Sequence, residues 1–330
     1  MNIKIANLSI KGIAAAVPKN KLDLKALEYK FGINEIKRIM MSTGIESVGI
    51  ALAHQKSSDF GLHAAQNLME RLSISPESID GIIFISQTPD YRMPSTSCIL
   101  QGKLKLPKTA VAFDINYGCS GYIYGLYQAS LLIHSGSCKR VLVCVGDTIS
   151  QYLNPNDQKA RLLFGDGGAA TIVEKGAHDI AFNIMTDGTG FQHLMIDKTK
   201  EGRDAYLYMN GSEIMEFALR EVPLSIDSVL SSMGWAKEEV GIVALHQANQ
   251  FIIDYLRKKL NIKKEQVPVA VKQYGNTGPA SIPLALSHHR EGFTAASKEK
   301  VILSGFGVGL SWGSLATNLS STVFMDVSEI

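Results

Sequence analysis

The chain is short of cysteine, of net charge and of long apolar runs, and each shortage removes a class of function. Four cysteines in 330 residues, Cys98, Cys119, Cys138 and Cys144, cannot make a disulfide framework. No CxxC pair or His/Cys cluster has zinc-site spacing, so no metal is expected. Lys and Arg number 33 against 31 Asp and Glu, a net charge of +2, which leaves no global footprint for nucleic acid. No apolar stretch reaches the roughly 18 residues of a membrane span. The opening segment, MNIKIANLSIKG, alternates charge and apolarity as an edge strand does and has no signal-peptide block. Together these absences predict a soluble protein of a reducing compartment, cytoplasmic, with no nucleic-acid partner and no membrane span.

Glycine is plentiful, at 29 residues, and hydrophobic residues make up 45% of the chain, enough for a sizeable core. Short, near-continuously apolar runs predict strands covered on both faces: Ile82–Ile85, Val111–Phe113, Val141–Val145, Ala170–Val173, Ile242–Leu245, Val267–Ala270 and Val301–Leu303. Amphipathic stretches between them predict helices over Asp59–Leu72, Tyr122–His134, Ser212–Met233, Gln250–Leu260 and Ala280–Glu291. The alternation gives an α/β fold with a largely parallel sheet.

The chain also resembles itself. The run from Asp80 (DGIIFISQT) matches the run from Val240 (VGIVALHQA), and Arg140 (RVLVCVG) matches Lys300 (KVILSGF), both about 160 residues on. Gly118 (GCSGY) likewise matches Gly275 (GNTGP), and Gly168 (GAATIV) matches Ser314 (SLATNL). The order predicts two homologous halves, 1–175 and 176–330, with an insertion in the first around Ser150–Lys159. Two such halves pack about a pseudo-two-fold axis, so the turns bearing Cys119 and Asn276 are expected to meet.

Cys119 lies where a strand enters a Gly-flanked turn and an apolar helix follows, a position that lowers a thiol pKa and favours the thiolate. Cys98, Cys138 and Cys144 lack that setting and read as small core residues. His246 stands at the C-terminal edge of a buried strand, where α/β proteins bind ligands. A cysteine nucleophile with His246 and Asn276 nearby fits acyl uptake followed by neutral stabilisation of an oxyanion or enolate. The Gly305–Gly313 segment is GxGxG and lacks a following amphipathic helix, so it is no dinucleotide site. It reads instead as a turn whose N–H groups face the active site, and Phe164-Gly-Asp-Gly reads as a structural turn.

The set Gly118-Cys-Ser-Gly-Tyr, His246-Gln-Ala-Asn, Gly275-Asn-Thr-Gly-Pro, Phe164-Gly-Asp-Gly and Gly305…Ser311-Trp-Gly resembles β-ketoacyl-acyl carrier protein synthase III, a condensing enzyme of the thiolase superfamily. The likeness runs from Lys11-Gly-Ile-Ala to Gly313 and includes Ser42-Thr-Gly-Ile. It implies a thiolase-like five-layer αβαβα fold of two pseudo-symmetric halves and a homodimer. It implies catalysis by Cys119, His246 and Asn276, with an oxyanion hole from the backbone N–H groups of Cys119 and Val308. Met93 falls where the family lets one subunit close the partner's acyl pocket. The implied reaction is acylation of Cys119 from an acyl-CoA or acyl-carrier thioester, then decarboxylative condensation with malonyl-acyl carrier protein. No cofactor is implied.

Because no cysteine follows Cys144, thiolase chemistry with a second catalytic cysteine is disfavoured, and Asn276 argues against condensing enzymes with two active-site histidines. Acyl transfer from Cys119 to an alcohol or amine is the alternative reaction. The basic run Arg257, Lys258, Lys259, Lys263 and Lys264 is a solvated helix face or a docking face for acyl carrier protein, centred on Arg257 and Lys258. Arg38, Ser42 and Gln158 occupy positions where the family commonly holds CoA with a Trp and arginines, and Phe251 stands in place of a docking Arg. The handle recognition therefore reads as altered and the chemistry as kept.

Overall fold

A computed structural model of the chain describes residues 1–197 and 205–330. Ten strands form one continuous mixed sheet: β1 (Asn2–Val17), β2 (Gly81–Ile85), β3 (Val111–Ile115), β4 (Arg140–Asp147), β5 (Gly167–Lys175), β6 (His178–Thr186), β7 (Ile242–Leu245), β8 (Val301–Gly307), β9 (Ser311–Thr317) and β10 (Val323–Glu329). The order is β7-β8-β9-β6-β1-β5-β4-β2-β3, with β10 beside β1. Outward from β1, pairing runs antiparallel to β5, antiparallel to β4, then parallel to β2 and β3. Outward from β6 it runs antiparallel to β9, antiparallel to β8, then parallel to β7. The same pattern is thus written twice, joined where β1 pairs with β6. Because the strands at the centre pair antiparallel, the sheet is mixed and not largely parallel as the strand–helix alternation implies.

The opening strand is not at an edge. Residues 2–8 of β1 pair with β6, an irregularity follows between Ile5 and Leu8, and residues 8–16 pair with β5. Its alternation arises because the first few residues are exposed while Leu8 onward is buried. Val267–Ala270 is not a strand either, although it occupies the place that β3 holds in the other half. Pro268 removes a ladder donor. The side chain of Gln247 takes over: Nε2 donates to Leu245 O (2.7 Å) and Pro268 O (3.2 Å), and Oε1 accepts from Ala270 N (2.8 Å).

Among the described residues seven helices are eight residues or longer: α1 (Ile33–Thr43), α2 (Ser57–Arg71), α3 (Thr96–Lys103), α4 (Gly121–His134), α5 (Gly211–Met233), α6 (Gln250–Lys259) and α7 (Ser281–His288). Helix α1 packs on α6. Helix α2 packs on β5, β1 and β4, and α5 packs on β9, β6 and β8, so they form opposite outer layers. Helices α4 and α7 touch strands of both halves and lie between them. Strand side chains sort by their period of two: Ile83 and Ile85 enter the central core with Tyr122, Ile282 and Leu303, whereas Ile82 and Phe84 join Phe60 and Leu68 outside. On the other side Ile302, Phe306 and Trp312 pack with Phe217 and Ile226 of α5. These are the five layers of an αβαβα fold.

Helix bounds follow the apolar spacing closely, except that α7 stops at His288 and 3-10 turns flank it at Gly278–Ala280 and Arg290–Gly292. Between β4 and β5 lie the extra turns Ile149–Tyr152 and Gln158–Arg161, while β8 and β9 are joined by residues 308–310 alone. Cys138 and Cys144 are buried as expected, but Cys98 is exposed, because it lies on the outer face of the short helix α3. No helix among the described residues is long and apolar enough to cross a membrane.

Candidate active site

The two central helices α4 and α7 begin at the same place. Cys119 ends the turn that leads into α4, where Gly121 N donates to Gly118 O (2.7 Å). Asn276 lies in the turn before α7, and the intervening Gly278–Ala280 turn touches α4. The turns matched in the sequence therefore converge in space.

Cys119 is buried, and its thiol is pushed up to about 12. Desolvation is the main cause and the carboxylate of Asp147 adds to it, while the backbone N–H groups of Val308 and Cys119 itself pull the other way. The thiolate expected from the helix start is thus not the resting form: burial outweighs the dipole, and the thiol is held neutral. The backbone donors are the two named for the oxyanion hole. Close approach is permitted by Gly307, where a Cβ would lie 2.9 Å from Cys119 Sγ. The turn between β8 and β9 is fastened by Ser311, whose hydroxyl donates to Val308 O (2.6 Å) and meets Ser120 Oγ at 2.6 Å.

His246 is buried and kept neutral, its pKa pushed down by desolvation to about 3. Its ring stands edge-on to Phe306, the neighbour of Gly307, with centroids 5.3 Å apart. Nδ1 lies 2.7 Å from Ser281 Oγ, which also accepts from Gln247 N at 3.4 Å. We assign the Ser281 hydroxyl as donor to Nδ1, which leaves the ring hydrogen on Nε2. Asn276 is oriented by its own turn, since Oδ1 accepts from Gly278 N (3.0 Å) and Nδ2 is left to donate elsewhere. Its backbone bridges Phe164-Gly-Asp-Gly: Asn276 N donates to Leu163 O (2.9 Å) and Gly165 N to Asn276 O (3.0 Å). The aspartate of that motif, Asp166, is buried and accepts from Ala51 N, Ser150 N and Ser150 Oγ, a structural role.

Cys119 and Val308 border a cavity of about 360 Å³ whose wall also includes Gln87, Asn116, Asp147, Ile149, Phe164, Phe191, Leu194, Met195, Ile196, Leu207 and Gly278. His246 and Asn276 are buried and are not among the residues that line it. Two contributors were not singled out from sequence. Ser281 fixes the imidazole, and Asp147 ends β4 with Oδ1 accepting from Ser86 Oγ (2.8 Å), Gln87 N (2.8 Å), Thr88 N (3.1 Å) and Thr88 Oγ1 (3.0 Å). Burial raises Asp147 to about 6 against these donors. A Cβ on Gly278, whose φ is +56°, would lie 2.9 Å from Asp147 Oδ2, so the second turn seats directly on this carboxylate. The signal for Asp147 in the sequence was only its place after an apolar strand.

The remaining sequence-named residues lie apart from this cluster. Met93 is 80% exposed in the protomer and does not border the cavity. Arg257 uses its guanidinium locally, 3.5 Å from Asp254 and donating to Ile262 O at 3.2 Å, while Lys258 is exposed. Arg38 is occupied by Glu35 at 2.6 and 2.9 Å, and Ser42 Oγ donates to Ile39 O.

Comparison with known proteins matches this arrangement. Residues 113–188 match the family model of 3-oxoacyl-[acyl-carrier-protein] synthase III, and residues 230–319 match that of its C-terminal domain. A β-ketoacyl-[acyl-carrier-protein] synthase III of Clostridium perfringens is 36% identical over 95% of this chain and 99% of its own. That of Geobacillus kaustophilus is 34% identical over 93% and 97%. The crystal structure of a 3-oxoacyl-(acyl-carrier protein) synthase from Burkholderia xenovorans superposes with a TM-score of 0.94 at 34% identity, covering 100% of this chain and 99% of that one. With both family models matched and relatives above 30% identity along nearly its whole length, the chain belongs to the β-ketoacyl-acyl carrier protein synthase III family of the thiolase superfamily.

Proposed function

We propose that the protein condenses an acyl group with a malonyl thioester in fatty-acid or specialised acyl-chain synthesis. The observation that carries this reading is the pairing of a buried thiol with two neutral donors, His246 Nε2–H and Asn276 Nδ2–H, each oriented by a second hydrogen bond. Cys119 Sγ attacks the carbonyl of an acyl-CoA or acyl-carrier thioester. The oxyanion forms beside the N–H groups of Cys119 and Val308, and the departing handle thiol takes the Cys119 proton. Malonyl-acyl carrier protein then loses CO2, its thioester oxygen held as an enolate oxygen by His246 and Asn276. The enolate carbon attacks the acyl carbonyl, Cys119 Sγ leaves as a thiolate that takes a proton from solvent, and a 3-oxoacyl thioester results. Acyl transfer to an alcohol or amine needs a proton acceptor, and an imidazole held near 3 is a poor one.

In this reading no cofactor or metal takes part. The protein acts in the cytoplasm as a homodimer of two-half protomers, 1–175 and 176–330. Met93 closes the partner's acyl pocket, and Arg257 and Lys258 meet the acidic carrier protein, with Lys258 the freer charge. Release of CO2 from malonyl-acyl carrier protein, with and without an acyl donor, separates condensation from simple transfer. Asn276→Ala is expected to keep acylation of Cys119, read by intact mass, and to lose condensation by about 100-fold or more, the scale of one oxyanion donor. Equal loss of both half-reactions would overturn the assignment.

A further inference from the structure

The wall of the cavity next to Cys119 carries two side-chain amides that the reaction above does not use. Gln87 follows β2, and Asn116 follows β3 and lies at the open rim. Neither amide has a hydrogen-bond partner among the described residues, although the Gln87 backbone N–H is held by Asp147. Gln87 reaches toward the nucleophile turn because Gly118 lacks a side chain: a Cβ there would lie 2.6 Å from Gln87 Oε1. The same wall also carries the apolar side chains of Ile149, Leu194 and Leu207.

From this geometry we infer that the acyl group accepted by Cys119 carries a hydroxyl or carbonyl oxygen on its second or third carbon, paired by Gln87 and Asn116. This inference rests on the acyl-loading reading given above and names its substrate class. A carboxamide offers both donors and an acceptor, so it pairs with either group. A plain alkyl chain of the same length displaces water from these amides and returns no hydrogen bond. Sites built around a substrate oxygen reject the analogue that lacks it far more strongly than apolar pockets reject an extra methylene.

The test is a competition between the N-acetylcysteamine thioesters of 3-hydroxybutyrate and butyrate, presented to the whole protein in equal amounts. Their handles are identical, so only the acyl group differs, and intact mass reads the two adducts separately. We expect the hydroxyacyl adduct on Cys119 to form at least tenfold faster, and Gln87→Leu to bring the ratio to one or below. A wild-type ratio of one or less overturns the inference and assigns the amides to the handle instead, and it needs no variant to fold. An unchanged ratio in folded Gln87→Leu also overturns it. If neither thioester loads while acetyl or longer alkyl thioesters do, the inference fails and the proposed function stands. If no acyl thioester modifies Cys119, both fail together.

Discussion

At the scale of single residues, the site depends on keeping ionisable groups neutral. The thiol of Cys119 sits near 12 and the imidazole of His246 near 3, so neither charges between pH 5 and 9. A thiol pKa that high means the thiolate fraction grows tenfold with each pH unit. Alkylation of Cys119 by iodoacetamide, followed by peptide mapping to exclude Cys98, is expected to rise steadily from pH 7 to 10 with no plateau. Asp147→Asn keeps the oxygen that accepts from Ser86, Gln87 and Thr88 but removes the charge that raises the thiol. Since Asp147 titrates at about 6, the variant should alkylate at the wild-type rate at pH 5 and faster than wild type at pH 8, where the carboxylate is charged. A ratio that does not change with pH would show that the carboxylate does not act on the thiol. Cys119, His246 and Asn276 stand out in the sequence as candidates because each lies in a glycine-marked or strand-end motif. Ser281, Asp147 and Gln87 do not, because they act through neighbours distant in the chain and carry no local signature. The thiol's pKa was misread for the same reason: the helix start is visible in the sequence and the surrounding burial is not.

At the scale of elements, apolar runs covered on both faces and helices with regular spacing were legible wherever periodicity alone decides. One exception is a segment whose partner is a side chain. Val267–Ala270 has strand composition, yet Pro268 interrupts its donors and Gln247 holds it in place of a neighbouring strand. Helices α1 and α3 and strands β6, β9 and β10 lack a clean apolar run. The glycines around β9 make Gly305–Gly313 read as a turn, whereas β8 extends to Gly307 and β9 starts at Ser311. Gln247→Leu leaves Pro268 O and Ala270 N without their side-chain partner in a buried setting. It is expected to lower unfolding stability by about 3 kcal/mol, since each unpaired buried group costs roughly 1–3 kcal/mol. Urea denaturation measures this directly, and a loss under about 1 kcal/mol would mean that the segment is held by packing. Because Gln247 follows His246, the same variant should impair condensation more than acylation of Cys119.

At the scale of the whole molecule, the sheet has one end that the protomer does not protect. Strand β3 pairs with β2 on one side only, and its residues Val111, Ala112, Phe113 and Ile115 are apolar and partly exposed. Its one charge, Asp114, is spent on the start of α3, accepting from Thr96 N (2.7 Å) and Ser97 N (2.8 Å). An uncharged, uncovered edge invites another strand. Antiparallel pairing with β3 of a second copy would extend the sheet through a two-fold axis and bury exposed apolar surface nearby, which includes Tyr91 and Met93. The near-neutral charge of +2 does nothing to oppose it. Light scattering is therefore expected to give about twice the protomer's 35.9 kDa. Val111 N donates to Asp80 O and Ile115 O accepts from Ser86 N, so the odd-numbered residues of β3 face β2 and the Ala112 N–H faces outward. Ala112→Pro thus removes an edge donor without touching the protomer's own ladder. The variant should remain folded, shift to the monomer mass and acylate Cys119 more slowly as Met93 leaves the partner's pocket. A dimer that survives this substitution unchanged would place the interface elsewhere on the protomer and deprive Met93 of its gating role.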